Sequence, residues 1–281
     1  MSFYISLSGL KAAQSDLSTI ANNVANVNST AFKKSRTNFG DIFSAAPMQT
    51  TTQVSGQGTR VIGIQQQYTQ GTVETTDKTL DLAVTGEGFF TVKGTGANGQ
   101  ISYTRNGAFS VTEDRFVVDT TGARLQVLPV DPTTGAVTST AAASLTDLTV
   151  PLLKPKAVAT DPDVQLSSLA VSETGLMSAT WADGTTTPLG NLAMATFASQ
   201  DGLRQKGDAH WQATLQSGNA NYGAGNEGTF GSIRSGALER SNVDITEELV
   251  ALISAQRNFQ ANAKAIETAS AITQTIVNIR T

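Results

Sequence analysis

From Phe3 to Val24 large apolar residues return every seven positions, as Phe3, Leu10, Leu17 and Val24, with Leu7, Ala13, Ile20 and Ala21 between them. Such an a/d-type stripe predicts a helix over residues 3–27 with a narrow apolar seam. The far end of the chain repeats the pattern with Ile245, Leu252, Phe259 and Ile266, and with Leu249, Ala263 and Val277 on the companion line, where Gln256 and Ser270 interrupt it. Beyond Ile266 the stripe drifts to Ala269, Ile272, Ile276 and Ile279, as a straight helix of 3.6 residues per turn requires. Asp244 predicts the N-cap of this second helix, Glu247 its capping-box partner, and Glu248 a favourable charge at the positive end of the helix dipole. The 7 prolines all lie between positions 47 and 188, so both ends are free of residues that break helices.

Between residues 60 and 230 the period changes from helical to alternating. In "LDLAVTGEGFFTVKG" Leu80, Leu82 and Val84 alternate with Asp81, Ala83 and Thr85, a Gly-Glu-Gly turn follows, and a second strand comes after it. "YTRNGAFSV" carries Asn106-Gly107, a hairpin signal. "RFVVDTTGARLQVLPV" adds two strands around Gly122, and "GLMSATWADGTTTPLGNLAMATF" repeats the strand–turn–strand rhythm. Residues 128–170 are rich in Pro, Thr, Ala and Ser and read as a long loop, a small insertion or a reduced subdomain. The layout is therefore helix, β region, helix: an α+β chain whose discontinuous N- and C-terminal segments form a helical coiled-coil domain beside a mainly antiparallel β domain.

Four asparagines crowd the end of the first helix, in "IANNVANVNSTAFKKS". Asparagine is a mediocre helix former, so each needs a reason. Asn26 and Asn28 lie where the stripe stops and suit a helix end, because asparagine tolerates the left-handed conformation and caps spare carbonyls. Ser29 or Thr30 then caps a short helix carrying Phe32, Phe39 and Phe43. Asn22 and Asn23 lie inside the stripe; they either face solvent or bond to a neighbouring helix or backbone and set register, as a polar coiled-coil position does.

The 281 residues are enough for one large domain or two small ones, with 39% apolar and 6% aromatic residues. A net charge of −4 and a pI near 5.0 argue against nucleic acid as the main partner, since phosphate binding wants a basic stripe. The one local basic cluster, Lys33, Lys34 and Arg36, reads as a solvated or interface group, with anion binding the alternative. No cysteine is present, which removes disulfides, thiolate metal sites and a cysteine nucleophile. The opening "MSFYISLSGLKAAQ" lacks the basic and apolar regions of a cleaved signal peptide. No run of about 18 apolar residues offers a membrane span.

Sites of chemistry are sparse. "GTGANG", residues 94–99, matches G-x-G-x-x-G, but a strand follows it where a nucleotide site needs a helix, so a hairpin or loop is expected. His210 is the sole histidine, and "GDAHWQAT" shows no nucleophile beside it; a packed or surface residue is expected. Glu113 and Asp114 fall in a predicted turn, and Asn28-Ser29-Thr30 fits a glycosylation pattern that means little without a secretory signal. No catalytic, cofactor or metal site is expected, and the chain reads as a non-enzyme.

The informative residues lie in longer motifs. "FYISLSGLKAAQSDLSTIANNVANVNSTAFKKSRTNFGDIF" resembles the start of the bacterial flagellar axial proteins, the rod and hook family, and the hook members above all. "YTQGTVETTDKTLDLAVTGEGFF" and "YTRNGAFSV" are similar to two further stretches of that family. "GALERSNVDITEELVALISAQRNFQANAKAIETA" resembles its C-terminal signature. Ala31 departs from the pattern, which usually has glycine there; if that residue needs a positive φ, alanine costs on the order of 1 kcal/mol. Hook members are also longer, and the missing mass falls at residues 128–171.

The resemblance implies a structural subunit that polymerises into a hollow helical tube, the flagellar hook, acting as a flexible universal joint that transmits motor torque. The shorter alternative within the family is the distal rod, a stiff drive shaft. A different class, a secreted adhesin-like binding module with a coiled-coil stalk, is the remaining alternative. The implied organisation is a helical inner-tube domain from residues 1–31 and 242–281, and an extended or short-helix linker over 32–78. A β domain follows from 79–127 and 172–241, with 128–171 as a reduced insertion or loop in place of an outer domain. Inner-tube packing falls to Phe3, Leu7, Leu10, Leu17, Ile20, Val24, Ile245, Leu249, Leu252, Phe259, Ile266 and Ile276, and register and hinge to Asn22, Asn23, Asn26 and Asn28. "FGDIF" matches an export-gate pattern through Phe39 and Phe43, with plain i, i+4 apolar contacts the other reading. The implied partners are further copies of the chain, the rod, hook cap and hook–filament junction proteins, and the flagellar type III export apparatus. Its location would be extracellular, in the basal body and hook, reached without a cleaved signal peptide and without membrane insertion.

Overall fold

The computed structural model describes residues 2–43, 56–95, 99–155 and 163–279, and these divide into two compact units. One unit comprises Met1–Asn28, Lys33–Tyr68 and Asn242–Thr281; the other comprises Ser29–Phe32 and Thr69–Ser241.

The first unit holds the two long helices, α1 (Ser2–Ala25, 24 residues) and α2 (Ile245–Ile279, 35 residues). α2 begins where the cap predicts it, because the Asp244 carboxylate accepts the backbone N–H groups of Thr246 at 2.8 Å and Glu247 at 3.3 Å. The expected capping box does not close: Glu247 turns instead to Lys34, 3.3 Å away. α1 ends at Ala25, and the Asn26 side-chain amide caps the Asn22 carbonyl at 2.9 Å. Gly9 lies against Asn262 while Asn23 meets Glu248, so the helices run antiparallel. That pairing brings the start of α1 level with about residue 269, and roughly ten residues of α2, some 15 Å, run on beyond it.

A β hairpin completes this unit. Strand β1 (Ser35–Asp41) pairs antiparallel with β2 (Thr59–Gln66), with a bulge between Asn38 and Phe39. The short helix expected around Phe32, Phe39 and Phe43 gives way to this strand. Propensity loses to tertiary pairing here, because β2 and α1 supply partners that a one-turn helix lacks. The Ser35 N–H and C=O both bond the Asn23 side chain, Thr37 Oγ1 donates to Thr19 Oγ1 at 3.0 Å, and the Thr59 N–H donates to Ser8 Oγ at 3.2 Å.

The second unit is built of short strands: β3 (Val73–Thr75), β4 (Leu82–Thr85), β5 (Phe89–Lys93), β6 (Ile101–Thr104), β7 (Ser110–Val111), β8 (Val117–Val118), β9 (Arg124–Leu128) and β10 (Thr146–Asp147). They continue as β11 (Leu166–Val171), β12 (Leu176–Trp181), β13 (Thr186–Leu192), β14 (Met194–Thr196), β15 (Arg204–Gly207), β16 (His210–Gln212), β17 (Asn221–Gly223), β18 (Ser232–Ser235) and β19 (Ala237–Glu239). The main path of the largest sheet runs β11-β12-β13-β9-β5-β6-β16-β15, and β4 pairs with β18 while β3 pairs with β19. Each of these pairings is antiparallel. One core joins them, including Leu82, Phe90, Val92, Leu125, Met177, Leu192 and Ile233.

Several turns play roles other than those the sequence suggests. Gly86 (φ 107°) and Gly88 (φ 129°) form a corner that passes the chain from β4, paired with β18, to β5 in the large sheet. Asn106-Gly107 is not a hairpin turn, since β6 and β7 take different partners. It is a packed corner: the Gly107 carbonyl accepts the Leu82 N–H at 2.9 Å, and any side chain at 107 would overlap the Leu82 carbonyl. The glycines of residues 94–99 fall in the β5–β6 hairpin loop, of which 96–98 lie outside the described residues. Within residues 128–171, Leu148 and Val150 join the common core and β10 and β11 join the sheet, so the described part of this stretch packs within the β unit.

Candidate assembly surface

The helices of the first unit meet at Gly9 against Asn262 and at Asn23 against Glu248. Ala12, Ala13 and Ile20 of α1 and Ala255 of α2 are buried, and Gly9 sits so close that a Cβ there would stand 2.7 Å from Asn262 Oδ1. Leu7, Leu10, Leu17, Val24, Leu252, Phe259 and Ile266 are only half-buried. The glycine lets the helices approach there, and Ala13 and Ile20 are the stripe members that are fully buried.

Asn23 is the polar centre of the contact, 1% exposed. Its amide nitrogen donates to Glu248 Oε2 at 3.1 Å and to the Ser35 carbonyl at 2.8 Å, and its oxygen accepts the Ser35 N–H at 2.9 Å. Asn22, Asn28 and the Arg36 side chain face outward. Of the basic cluster, Lys33 is buried and Lys34 pairs with Glu247, so the solvated reading holds for Arg36 alone. Asn23, Lys34, Thr37, Glu247 and Glu248 line a polar cavity of about 350 Å³. Asp16, on its wall, has its carboxyl pushed above the usual range by burial, with the polar Thr37 side chain opposing. The sequence signal for Glu248 is thin, since an acid in the first turn of a helix is ordinary.

A second set of large apolar residues is left exposed among the described residues. Phe3, Tyr4 and Ile5 at the start of α1, and Ile245, Leu249, Val250 and Ile253 on α2, are exposed. On the part of α2 that runs past α1, Ile272, Ile276 and Val277 are 61%, 62% and 58% exposed. Phe3, Ile245, Leu249 and Ile276, expected in helix packing, thus keep between 42% and 62% of their surface exposed. On the hairpin, Phe39, Ile62 and Ile64 are exposed, and Phe43 just beyond β1 is too. So many large apolar side chains in the open mark an interaction surface rather than ordinary scatter.

Among the described residues the other polar groups singled out in the sequence are either buried in the β unit or exposed in turns. His210 is buried, with Nε2 2.6 Å from Asp119 Oδ2 and Nδ1 2.8 Å from the Asp208 carbonyl. Glu113 and Asp114 are exposed in the turn between β7 and β8. Among the described residues no group of three or more His, Asp or Glu side chains could hold a metal ion, and no helix is long and apolar enough to cross a membrane. The buried pair Arg105–Glu239 in the β unit is structural: Arg105 also donates to the Gly86 carbonyl at 2.9 Å and lies over the Phe89 ring.

Helical ends with exposed apolar residues lie one before and one after an antiparallel β unit in the sequence. Three family models match along its length. The flagella basal body rod protein model matches residues 3–33, the flagellar hook protein FlgE/F/G D1 domain residues 83–179, and the flagellar basal body rod FlgEFG protein C-terminal model residues 234–279. The chain is 34% identical over 294 positions to the flagellar basal-body rod protein FlgG of Bacillus subtilis, covering 99% of this chain and 98% of that one. It is 28% identical over 412 positions to the flagellar hook protein FlgE of Salmonella typhimurium, covering all of both. The solved Helicobacter pylori flagellar hook protein FlgE2 is 20% identical over 50% of this chain and 38% of that one, with a TM-score of 0.24, too low to bear on the fold. The chain belongs to the flagellar hook and rod family. Members of this family are structural proteins of the flagellar basal body and hook, not enzymes.

Proposed function

We propose that this chain is a subunit of the flagellar hook, polymerising with its own copies into a hollow helical tube that bends while transmitting torque. The observation that carries polymerisation is the uncovered apolar face of α2, from Ile245 to Ile253 and again at Ile272, Ile276 and Val277. Isolated helix segments are marginal in water, so the part of α2 beyond α1 gains most of its stability when a neighbour covers it. Burial there contributes about 25 cal/mol per Å² of apolar surface. An interface between different faces of identical subunits does not close on itself and grows an open filament. The motif wording "SLSGL" and "QRNFQANAK" favours the hook.

The distal rod is the second reading, favoured by length. The chain aligns with the Bacillus subtilis rod protein over 294 positions but with the Salmonella hook protein over 412, against its own 281 residues. Electron microscopy of concentrated purified protein tests both: curved tubes support the hook and straight tubes the rod. Monomers alone, with protease-resistant ends, would overturn polymerisation. On this reading the neighbours are rod, hook cap and hook–filament junction proteins, outside the cell. Export runs through the flagellar type III apparatus by way of Phe39 and Phe43, both presented to solvent. Replacing both by alanine should stop secretion while cytoplasmic levels persist; undiminished secretion would count against their role.

A further inference from the structure

The polar cavity of about 350 Å³ in the helical unit has walls that are largely closed to bulk water. Asn23 is 1% exposed, Thr37 5%, and Thr19 and Glu248 7% each. Most polar atoms on these walls are already used. The Thr37 hydroxyl donates to Thr19 Oγ1 at 3.0 Å, and Thr19 in turn donates to the Ser15 carbonyl at 3.1 Å. The Asn23 amide is divided between Ser35 and Glu248. Lys34 pairs with Glu247 at 3.3 Å, on the outer side, where the Glu247 side chain is 67% exposed.

Two carboxylates on the wall are left over. Glu248 uses Oε2 alone, on Asn23, and no described residue donates to its Oε1. Among the described residues no ion pair reaches Glu248 or Asp16, and the rise of the Asp16 carboxyl through burial is opposed by the Thr37 side chain and by no cation. A carboxylate as buried as Glu248 is costly without a counter-charge. The spacing selects the cation. Asp16 and Asn23 stand two turns apart on α1, about 10 Å along its axis, and Asn23 marks the position of Glu248. One metal ion cannot touch both, and no described group of three or more His, Asp or Glu side chains could hold one. Ile20 and Ala251 add apolar surface to the stretch of wall between them.

We infer that this cavity binds a short aliphatic diamine, with one ammonium on Asp16, the other on Glu248 Oε1, and the methylenes against Ile20 and Ala251. An extended four-carbon chain holds its two nitrogens about 6 Å apart on ordinary bond lengths. A charge-assisted hydrogen bond of about 2.8 Å at each end covers the remaining distance. Each ammonium offers three donors and no acceptor, which suits a carboxylate at either end. Arg36, also on the wall, is exposed and competes for the same carboxylates from the rim. The inference does not depend on whether the chain serves in hook or rod.

Calorimetric titration of the unassembled full chain at fixed ionic strength tests it, with putrescine, the four-carbon diamine, as probe and butylamine, the same chain with one ammonium, as comparison. Putrescine should bind saturably, one per chain, at least about tenfold more tightly than butylamine. Asp16→Asn and Glu248→Gln should each weaken it at least about tenfold, and putrescine should shift the NMR signals of the Asn23 side-chain amide. Absence of saturable binding overturns the site. Equal binding of butylamine overturns the two-ended mode, and an unchanged affinity in Asp16→Asn overturns the location. If Glu248→Gln does not fold, Asp16→Asn and the Asn23 signals decide.

Discussion

Asn23 on α1 and Glu248 on α2 meet at 3.1 Å across 225 residues of sequence. The same amide also holds both backbone groups of Ser35, so one side chain ties two helices to a hairpin. Asn23 thus bonds a neighbouring helix and backbone, while Asn22 faces solvent. Asn23→Ala removes three hydrogen bonds and leaves the Glu248 carboxylate without its amide. The expected loss is about 2–3 kcal/mol in the helical unit, because a buried group left unsatisfied costs more than the bond it made. The helical circular-dichroism signal in a urea titration reads this unit, since both long helices belong to it. An unchanged midpoint would show that the three bonds are dispensable.

Gly107 tests the corner that resembles a hairpin turn. A Cβ there would overlap the Leu82 backbone, which cannot swing aside as a side chain can. Gly107→Ala should cost more than about 3 kcal/mol or prevent folding. Gly122→Ala is the control, with left-handed φ of 83° but open space around it. Conformational strain alone limits its cost to about 1 kcal/mol. Thermal melts of the two variants should differ widely; similar melts would mean that the corner relaxes.

What the sequence could and could not reveal follows the same distinction between local and distant partners. The cap at Asp244, the ends of both helices and the hairpin at Trp181–Thr186 are set by neighbours within a few residues, and they are legible. The helical seam is legible in period, and Ala13 and Ile20 on it are buried, but the close approach at Gly9 is not legible, because nothing in a periodic stripe ranks a glycine above a leucine. Strand β1 is illegible because its partner β2 starts beyond residue 55, and a run with Phe39 and Phe43 four apart suits a helical turn as well as a strand. His210 and Asp119 lie 91 positions apart, so no local motif announces them.

Two alanines in left-handed backbone separate strain from packing. Ala209 (φ 56°) is half-buried, and Ala209→Gly should stabilise the β unit by about 0.5–1 kcal/mol by removing the strain. Ala31 has the same φ of 56° but is 0% exposed, and its N–H donates to the Glu239 carbonyl at 2.8 Å. Ala31→Gly relieves similar strain but loses a buried methyl group worth about 0.8 kcal/mol, so its net effect should lie within about 0.5 kcal/mol of zero. Chemical denaturation followed by tryptophan fluorescence checks both, as Trp181 and Trp211 lie in the β unit. An equal gain from both substitutions would mean that the Ala31 methyl contributes nothing.

Acid should weaken the β unit, while in the helical unit Asp16 and the α2 cap Asp244 respond in opposite directions. Burial raises the Asp119 carboxyl, but hydrogen bonds from His210, Thr121 and Ala123 outweigh it and hold the group below its usual range. Asp147 is likewise lowered, with burial opposed by Gln126 and Arg124. A depressed carboxyl contributes stability above its unfolded value, near 4, and that stability is lost as the pH falls through the folded value. Asp16 in the helical unit is raised, chiefly by burial, so its protonation favours folding and its ionised form opposes it. Below about pH 4 tryptophan fluorescence should report a weakening β unit while Asp16 no longer opposes the helical unit. Asp16→Asn should stabilise that unit slightly at neutral pH and remove its share of the acid response; a destabilised variant would show that the carboxylate is needed.

Ile272 and Ile276 of α2 lie one turn apart on one face, 61% and 62% exposed, where α1 no longer accompanies the helix. Replacing both by serine removes apolar surface that the single chain does not bury, so the stability of the monomer should move by no more than about 0.5 kcal/mol. If a neighbouring subunit covers that face, the same change deletes two anchors at every contact of the polymer. Each anchor, worth about 1.5–3 kcal/mol when buried, recurs with every added subunit. The critical concentration for tube growth, measured by sedimentation and electron microscopy, should therefore rise at least about a hundredfold while the monomer melts as before. Tubes forming at the wild-type concentration would show that these isoleucines stay in water after assembly, and the contact between subunits would have to be sought at Ile245, Leu249 and Ile253 instead.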